Sequence, residues 1–169
     1  MVAPPTSTVT VVRAYPHDPS SFCQGLVVYN GQILEGTGQY SQSRLRLVDL
    51  ESGKPSLDVR MDDHVFGEGV TVWNGQILQL TWKNGVLLVY DAATLQRIRM
   101  VSYRDIDPSL QEGWGLTHDG THLIISDGSA TLRFVDPQTF RLVRTVVAKN
   151  GWRSLSQLNE LEFVDGQIF

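Results

Sequence analysis

The stretch EGVTVWNGQIL, residues 68–78, has three similar copies in this sequence of 169 residues. They are QGLVVYNGQIL (24–34), WGLTHDGTHLI (114–124) and NELEFVDGQIF (159–169), so the starts lie 44 to 46 residues apart. In each copy, alternating residues lead to Asn-Gly or Asp-Gly and then to a second apolar run. This pattern predicts a β-hairpin with a tight type I′ turn. Each repeat is therefore expected to open with a hairpin.

A second phrase follows the first in three of the repeats: SRLRLVDLESGK (43–54), GVLLVYDAATLQ (85–96) and ATLRFVDPQTFR (130–141). Its aspartates, Asp49, Asp91 and Asp136, end an alternating strand and begin a polar turn. An Asp side chain in such a turn can accept hydrogen bonds from the backbone that follows. Segments such as RLVRTVVA (141–148) then alternate again. Four strands in about 45 residues are typical of a β-propeller blade.

The repeats therefore predict an all-β chain with a single propeller domain over residues 1–169, whose repeats begin near 24, 68, 114 and 159. They give about three blades and the first hairpin of a fourth. Propellers typically close with about four to eight blades, so we expect a truncated propeller and not a natural three-bladed domain. TVTVVRAY (8–15) is predicted to be an outer strand that would complete the last blade of an intact ring, a blade that these residues do not include. Open edges would favour association, although the residues alone indicate no oligomeric state.

Composition excludes several classes of protein. The sequence is 41% apolar with a net charge of −4, and its Lys and Arg residues form no basic stripe, which argues against a nucleic-acid partner. No apolar run reaches the roughly 18 residues of a membrane span, and MVAPPTST (1–8) lacks the features of a signal peptide. We expect that an export signal was removed or never existed. One cysteine, Cys23, excludes an internal disulfide and disfavours a Cys-based metal site.

The first residue of each repeated phrase is the candidate functional position. In a propeller this residue lies at the mouth of the central channel, and here it is Gln24, Glu68, Trp114 or Asn159. A purely structural repeat would reuse one residue, so the divergence indicates groups that converge on a ligand. The alternative is an ordinary channel lined by mixed polar groups around water.

Aromatic residues flank these positions, namely Phe22, Phe66 and Trp82. A carboxyl group enclosed by aromatic rings should have a raised pKa, because desolvation disfavours its charged form. Glu68 is thus a candidate proton shuttle near neutral pH. The alternative is that the aromatic rings only pack between blades. The four histidines show no spacing typical of metal ligands.

Several motifs together resemble the plant and bacterial type of glutaminyl-peptide cyclotransferase, or glutaminyl cyclase. They are FCQGL (22–26), YSQSRLRLVDLESGK (40–54), FGEGV (66–70), LTWK (80–83), EGWGLTHDG (112–120), SDGSATLRFVDPQTF (126–140) and LNELEFVDGQIF (158–169). The similarity runs from about residue 8 to the last residue, in order and with matching spacing.

This resemblance implies a five-bladed propeller that converts the N-terminal glutamine of peptides or proteins to pyroglutamate and releases ammonia. It implies catalysis without a cofactor or catalytic metal, which leaves room for a structural calcium ion, and a secreted or periplasmic location. It makes Glu68 the acid/base residue, with a substrate pocket of Phe22, Gln24, Phe66, Trp82, Trp114 and Asn159. The family continues beyond NELE to another pocket tryptophan and a lysine. We therefore expect these residues alone to lack part of the pocket.

Two alternatives stay open at the level of sequence. A non-enzymatic propeller that binds peptides or proteins would keep the hairpins and Asp turns without needing an enclosed carboxyl group. A calcium-dependent propeller hydrolase would need several oxygen ligands converging on the axis, and Gln24, Glu68 and Asn159 could supply them.

Overall fold

The computed structural model describes residues 8–169, and three four-stranded antiparallel sheets dominate it. The first sheet contains β1 (Cys23–Tyr29), β2 (Gln32–Thr37), β3 (Arg44–Val48) and β4 (Pro55–Arg60). The second contains β5 (Gly67–Trp73), β6 (Gln76–Thr81), β7 (Val86–Asp91) and β8 (Arg97–Ser102). The third contains β9 (Leu116–His118), β10 (Leu123–Ile125), β11 (Thr131–Val135) and β12 (Leu142–Val147). Each sheet pairs its strands in chain order, so the prediction of four strands per repeat is confirmed.

Short elements complete the fold. They are the single-turn helix α1 (Tyr103–Ile106) and two hairpins, β13 (Lys149–Asn150) with β14 (Arg153–Ser154) and β15 (Phe163–Val164) with β16 (Gln167–Ile168). The second hairpin is the one predicted for the fourth repeat, whereas the first was not predicted. Among residues 8–169, no helix is long and apolar enough to cross a membrane.

The predicted hairpin turns are present at three of the four repeats. Both central residues have positive φ in Asn30-Gly31, Asn74-Gly75 and Asp165-Gly166, as a type I′ turn requires. The expectation was wrong for the third repeat, where only Gly120 has positive φ. There His118 pairs with Leu123, and the Asp119 carboxylate accepts hydrogen bonds from the backbone N–H groups of Thr121 and His122. The side chain therefore organises a longer loop of four residues.

The predicted Asp turns follow β3, β7 and β11. Oδ1 of Asp91 accepts hydrogen bonds from the backbone of Ala93 and Thr94, and Oδ1 of Asp136 accepts equivalent bonds two and three residues ahead. Asp49 binds Ser52 through the same atom. These hydrogen bonds favour the ionised carboxyl groups and lower the pKa of all three. The turn chemistry read from the sequence is thus confirmed.

The middle strands of the sheets are the most buried and the outermost strands the least, because neighbouring sheets pack face to face. β6 and β7 are almost fully buried, whereas β4 and β8 are mostly exposed. One apolar core lies between the first and second sheets, another between the second and third, and a smaller one between the third sheet and the β15–β16 hairpin. Residues 8–15 form no strand here and are exposed. The strand predicted for them would pair with the last blade of an intact ring, so it stays a prediction. The alternating residues of this segment do not pair with the edge strand of any of the sheets described here.

Candidate active site

The ends of the inner strands surround one cavity of about 280 Å³. All seven residues singled out from the sequence line it: Phe22, Gln24, Phe66, Glu68, Trp82, Trp114 and Asn159. They come from four repeats and span more than 130 residues of chain, from 22 to 159, so only the stacking of the sheets brings them together. Glu68 is 4% exposed at the base of the cavity, whereas Asn159 is exposed at its rim.

Two β-bulges direct the polar side chains into the cavity. In the β1–β2 pair the register shifts between Cys23 and Gly25, which leaves Gln24 as the extra residue. In the β5–β6 pair it shifts between Gly67 and Val70, where Glu68 lies. A bulge bends its strand and redirects a side chain, which is why bulges are frequent beside active sites. The alternating sequence pattern alone did not indicate these irregularities.

Aromatic rings form the apolar wall of the cavity. Phe66 packs edge-on against Phe22 and Trp82, with ring centroids 6.1 and 5.4 Å apart. Trp82 donates its backbone N–H to the Phe66 carbonyl at 3.0 Å, which fixes the two rings relative to each other. These rings exclude water from one side of the Glu68 carboxyl group. The remaining side of the cavity is open to solvent through the partly exposed Phe22.

The environment of Glu68 favours its neutral form. Burial is the main cause, the nearby Glu112 carboxylate adds to it, and a hydrogen bond from Gln24 Nε2 to Glu68 Oε2 at 2.8 Å opposes it. The net effect raises the pKa of Glu68 from 4.5 to about 8. A carboxyl group with such a pKa can accept and donate a proton near neutral pH. The direction agrees with the expectation from the sequence.

Glycines allow the inner strands to approach one another beneath this cavity. A Cβ atom on Gly25 would lie 2.6 Å from the backbone of Val70, and one on Gly69 would lie equally close to the Trp114 carbonyl. Gly115 is crowded in the same way by the Asn159 carbonyl. Since a real Cβ atom essentially never approaches a backbone atom so closely, larger residues at these positions would push the sheets apart.

The fourth repeat has Glu160 where the other three have this glycine. Its two carboxyl oxygens are buried and have no hydrogen-bond partner among residues 8–169, although the Leu26 N–H lies near enough to favour ionisation slightly. Burial first, and then the charges of Glu162 and Glu68, raise the pKa of Glu160 to about 9. Sequence reasoning missed this residue. The replacement of the repeated glycine by a glutamate in the fourth repeat was the sequence signal that could have identified Glu160.

Glu112 is a second residue that sequence reasoning missed. Its carboxylate accepts hydrogen bonds from the indole N–H groups of Trp82 and Trp114, and the residue itself does not line the cavity. Its position two residues before Trp114 was visible in EGW, but its contact with Trp82 depends on the packing of two sheets.

One group of potential metal ligands lies apart from the cavity. His17, Cys23 and Glu35 place their ligand atoms within 4.8 Å of one another. His17 Nε2 and Glu35 Oε1 are already hydrogen-bonded at 2.9 Å, and the Arg46 guanidinium lies 3.9 Å from the other Glu35 oxygen. Burial is the main cause that raises the pKa of the Cys23 thiol to about 11, which disfavours the thiolate that a metal would need. The arrangement fits a hydrogen-bonded structural cluster better than a metal centre.

The chain is similar to known proteins of one family. The model of the glutamine cyclotransferase family matches residues 1–169. The chain belongs to this family. A glutaminyl-peptide cyclotransferase of Arabidopsis thaliana is 35% identical over 162 residues, which are 95% of this chain and 49% of that protein. The chain therefore spans about half the length of this glutamine cyclotransferase relative.

The fold is also similar to solved structures. The crystal structure of Myxococcus xanthus glutaminyl cyclase shares 36% sequence identity with this glutamine cyclotransferase chain, at a TM-score of 0.84 over 94% of the chain and 65% of the solved one. The WD40 domain of Neurospora crassa Pan2 matches 82% of the chain and 38% of its own length, at a TM-score of 0.60 and 14% identity. This second similarity concerns the fold alone and agrees with a propeller architecture. The number of blades, predicted to be five, stays a prediction.

Proposed function

We propose that this protein is a glutaminyl-peptide cyclotransferase that converts an N-terminal glutamine to pyroglutamate and releases ammonia. The observation that carries the proposal is the cavity itself, in which one buried carboxyl group of raised pKa lies among aromatic rings. Membership of the glutamine cyclotransferase family and the similarity to the Arabidopsis and Myxococcus enzymes support the same activity. A module that only binds peptides would not need a desolvated carboxyl group at the base of its pocket.

The substrate is the free N-terminus of a peptide or protein that begins with glutamine. Trp82, Trp114 and the two phenylalanines offer apolar surface to the methylene groups of the glutamine side chain. The open side of the cavity leaves room for the rest of the peptide chain. The exposed Asn159 at the rim can hydrogen-bond the substrate backbone or its carboxamide.

Glu68 carries the proton transfers. The α-amino group has a pKa of roughly 8 and must lose a proton before it can attack the γ-carboxamide carbon. The ionised Glu68 takes this proton, the amine nitrogen forms a bond to the carbon, and a tetrahedral intermediate results. Glu68 then donates the proton to the carboxamide nitrogen, the C–N bond breaks, and ammonia leaves. The new ring nitrogen still carries two hydrogens and gives one of them up as a proton to solvent or to the departing ammonia. The products are then pyroglutamate and ionised Glu68.

Gln24 orients this carboxyl group. Its side-chain N–H binds Glu68 Oε2, which leaves Oε1 as the oxygen that can face the substrate amine. Asn159 and the second N–H of the Gln24 amide are the two donors in the cavity that can stabilise the oxyanion. A pre-placed donor of this kind is typically worth about 3 kcal/mol in the transition state.

The test is mass spectrometry of a peptide that begins with glutamine. We would incubate it with this chain, and in parallel with a chimera in which the C-terminal remainder of the Myxococcus relative follows residue 169. Loss of one ammonia from the peptide with either protein supports the proposal. An unchanged peptide with both proteins, although the Myxococcus enzyme itself converts it, would refute the proposal.

A further inference from the structure

Both tryptophans of the cavity are held by one oxygen atom. The indole N–H of Trp82 donates to Oε2 of Glu112 at 2.8 Å, and the indole N–H of Trp114 donates to the same atom at 3.0 Å. Hydrogen bonds to a charged acceptor are about twice as strong as those between neutral groups. The carboxylate therefore fixes the orientation of two rings that come from different sheets.

A lysine holds the other oxygen of this carboxylate. Lys83 Nζ lies 3.6 Å from Glu112 Oε1, and its ammonium group is 4.0 Å from the centre of the Trp82 ring. The backbone reinforces the contact, because the N–H of Gly113 lies 3.1 Å from the Trp82 carbonyl. The segment before β9 is thus joined to the end of β6 by side chains and main chain together.

We propose that Glu112 is a positioning residue for cyclisation, which sets the two tryptophan walls of the cavity through a single carboxylate. Glu112 does not line the cavity, so its effect on the position of the cavity walls passes through Trp82 and Trp114. This inference rests on the proposed function of the cavity. It predicts that removing the carboxylate loosens both walls at once.

Glu112 also acts on Glu68 through its charge. The ionisable groups that interact with Glu68 are Glu112, Glu160 and Tyr103, and Gln24 donates to it. Burial raises the pKa of Glu68 most, and the negative charge of Glu112 raises it further. Neutralising Glu112 should therefore shift the ionisation of Glu68 toward lower pH.

The experiment compares Glu112→Gln and Glu112→Ala with Glu51→Gln as the matched control. Glu51 is exposed and pairs with Arg13 away from the cavity. Steady-state kinetics across pH would be measured in whichever form converts the glutamine peptide. Indole N–H resonances of Trp82 and Trp114 would be recorded by NMR on the 15N-labelled chain, since they report the two hydrogen bonds whether or not the chain is active.

We expect Glu112→Ala to raise KM about tenfold, because two hydrogen bonds to a charged acceptor are lost, and to shift both indole resonances. Glu112→Gln should keep KM within about threefold, since its amide oxygen can still accept, and should move the acid limb of the pH profile lower. Unchanged indole resonances in Glu112→Ala, or unaltered kinetics per folded molecule, would overturn the inference. If the wild type converts no peptide, the proposed function is refuted. The indole resonances of Glu112→Ala still show in that case whether Glu112 fixes the orientation of Trp82 and Trp114.

Discussion

The side chain of Glu68 is buried and can still exchange a proton with a substrate. Most carboxyl groups that can exchange protons are instead exposed to water. Its carboxyl group is 4% exposed, yet one hydrogen bond from Gln24 and an open cavity leave an oxygen accessible to a substrate. Packing of Phe66 and the tryptophans removes water from the carboxyl group, and the bulge in β5 directs the Glu68 side chain into the cavity.

Replacing Glu68 with glutamine should abolish cyclisation and leave the fold intact. Glutamine has nearly the same shape and can still accept the hydrogen bond from Gln24, but it cannot take up the proton of the amine. General acid–base catalysis typically contributes about 100-fold or more, so we expect at least that loss in kcat/KM. Peptide conversion would be followed by mass spectrometry and the fold by circular dichroism, with Glu51→Gln as control. Near wild-type turnover would remove Glu68 from the mechanism.

The pH dependence of cyclisation should be bell-shaped. In the reactive complex, one proton is bound either to the substrate amine or to Glu68. The amine has a pKa of roughly 8, and the pKa of Glu68 is about 8. Below this region both groups are protonated, and above it neither can donate to the leaving nitrogen. We expect kcat/KM to be greatest near pH 8 and to fall on either side. A profile that stays flat over about two pH units on both sides would contradict a shuttle with this pKa.

Much of the site could be predicted from residues alone. The repeat placed Gln24, Glu68, Trp114 and Asn159 at one structural position, the aromatic residues were visible beside them, and the family resemblance implied a role for each. Whether each residue has that role stays a prediction. Glu112 was missed because its role depends on a contact with Trp82, which lies 30 residues earlier in the chain, just after β6. Pairings of this kind are set by packing between elements, which a local pattern does not contain.

Among the elements, turns were the most predictable part, since their chemistry is local. Asn-Gly pairs and Asp side chains act on the next few backbone groups, whatever the rest of the chain does. The third hairpin differs because the Asp119 side chain captures two backbone N–H groups and so closes a longer loop. The β13–β14 hairpin has no equivalent in the other repeats, which is why the repeat pattern did not predict it.

The third sheet depends on a buried ion network. Arg133 on β11 binds Asp107 at the end of α1 and Asp127 in the turn before β11, both at 2.7 Å, and its side chain is 6% exposed. Arg133→Ala leaves two carboxylates without their partner, so we expect a loss of about 3–5 kcal/mol in the free energy of unfolding. Urea denaturation measures this loss. The exposed Arg141 is the control, and Arg141→Ala should change the free energy by less than about 0.5 kcal/mol. Equal effects of both variants would rule out a special role for the network.

On the scale of the whole molecule, stability should fall as pH rises through the neutral range. Glu68 and Glu160 hold their protons in the fold up to pH values of about 8 and about 9, whereas their ordinary pKa is 4.5. Between these limits the folded state binds more protons than the unfolded state, so the free energy of unfolding decreases with increasing pH. The stabilisation is complete below about pH 4.5 and is lost by about pH 9.

Glu160→Gln should flatten this dependence. Glutamine is neutral at every pH and imitates the protonated acid, which removes up to about 1.4 kcal/mol per pH unit from the slope. Thermal and urea unfolding at several pH values would measure the slope, and Glu162→Gln, which changes a less buried carboxyl group, is the comparison. A slope identical to that of the wild type would mean that Glu160 ionises normally in the folded chain.

The glycines beneath the cavity also bear on how such a site could arise. If a unit of about 45 residues was once copied along a gene, each copy inherited the same strand, the same turn and the same glycine. The residue just before that glycine was then present once in every copy, so that one copy could change it while the others kept it. Drift in one copy could produce a carboxyl group, in another an indole and in a third an amide. Catalysis would then depend on different residues at the same position of different repeats. Each of these residues could change without a change in the other repeats.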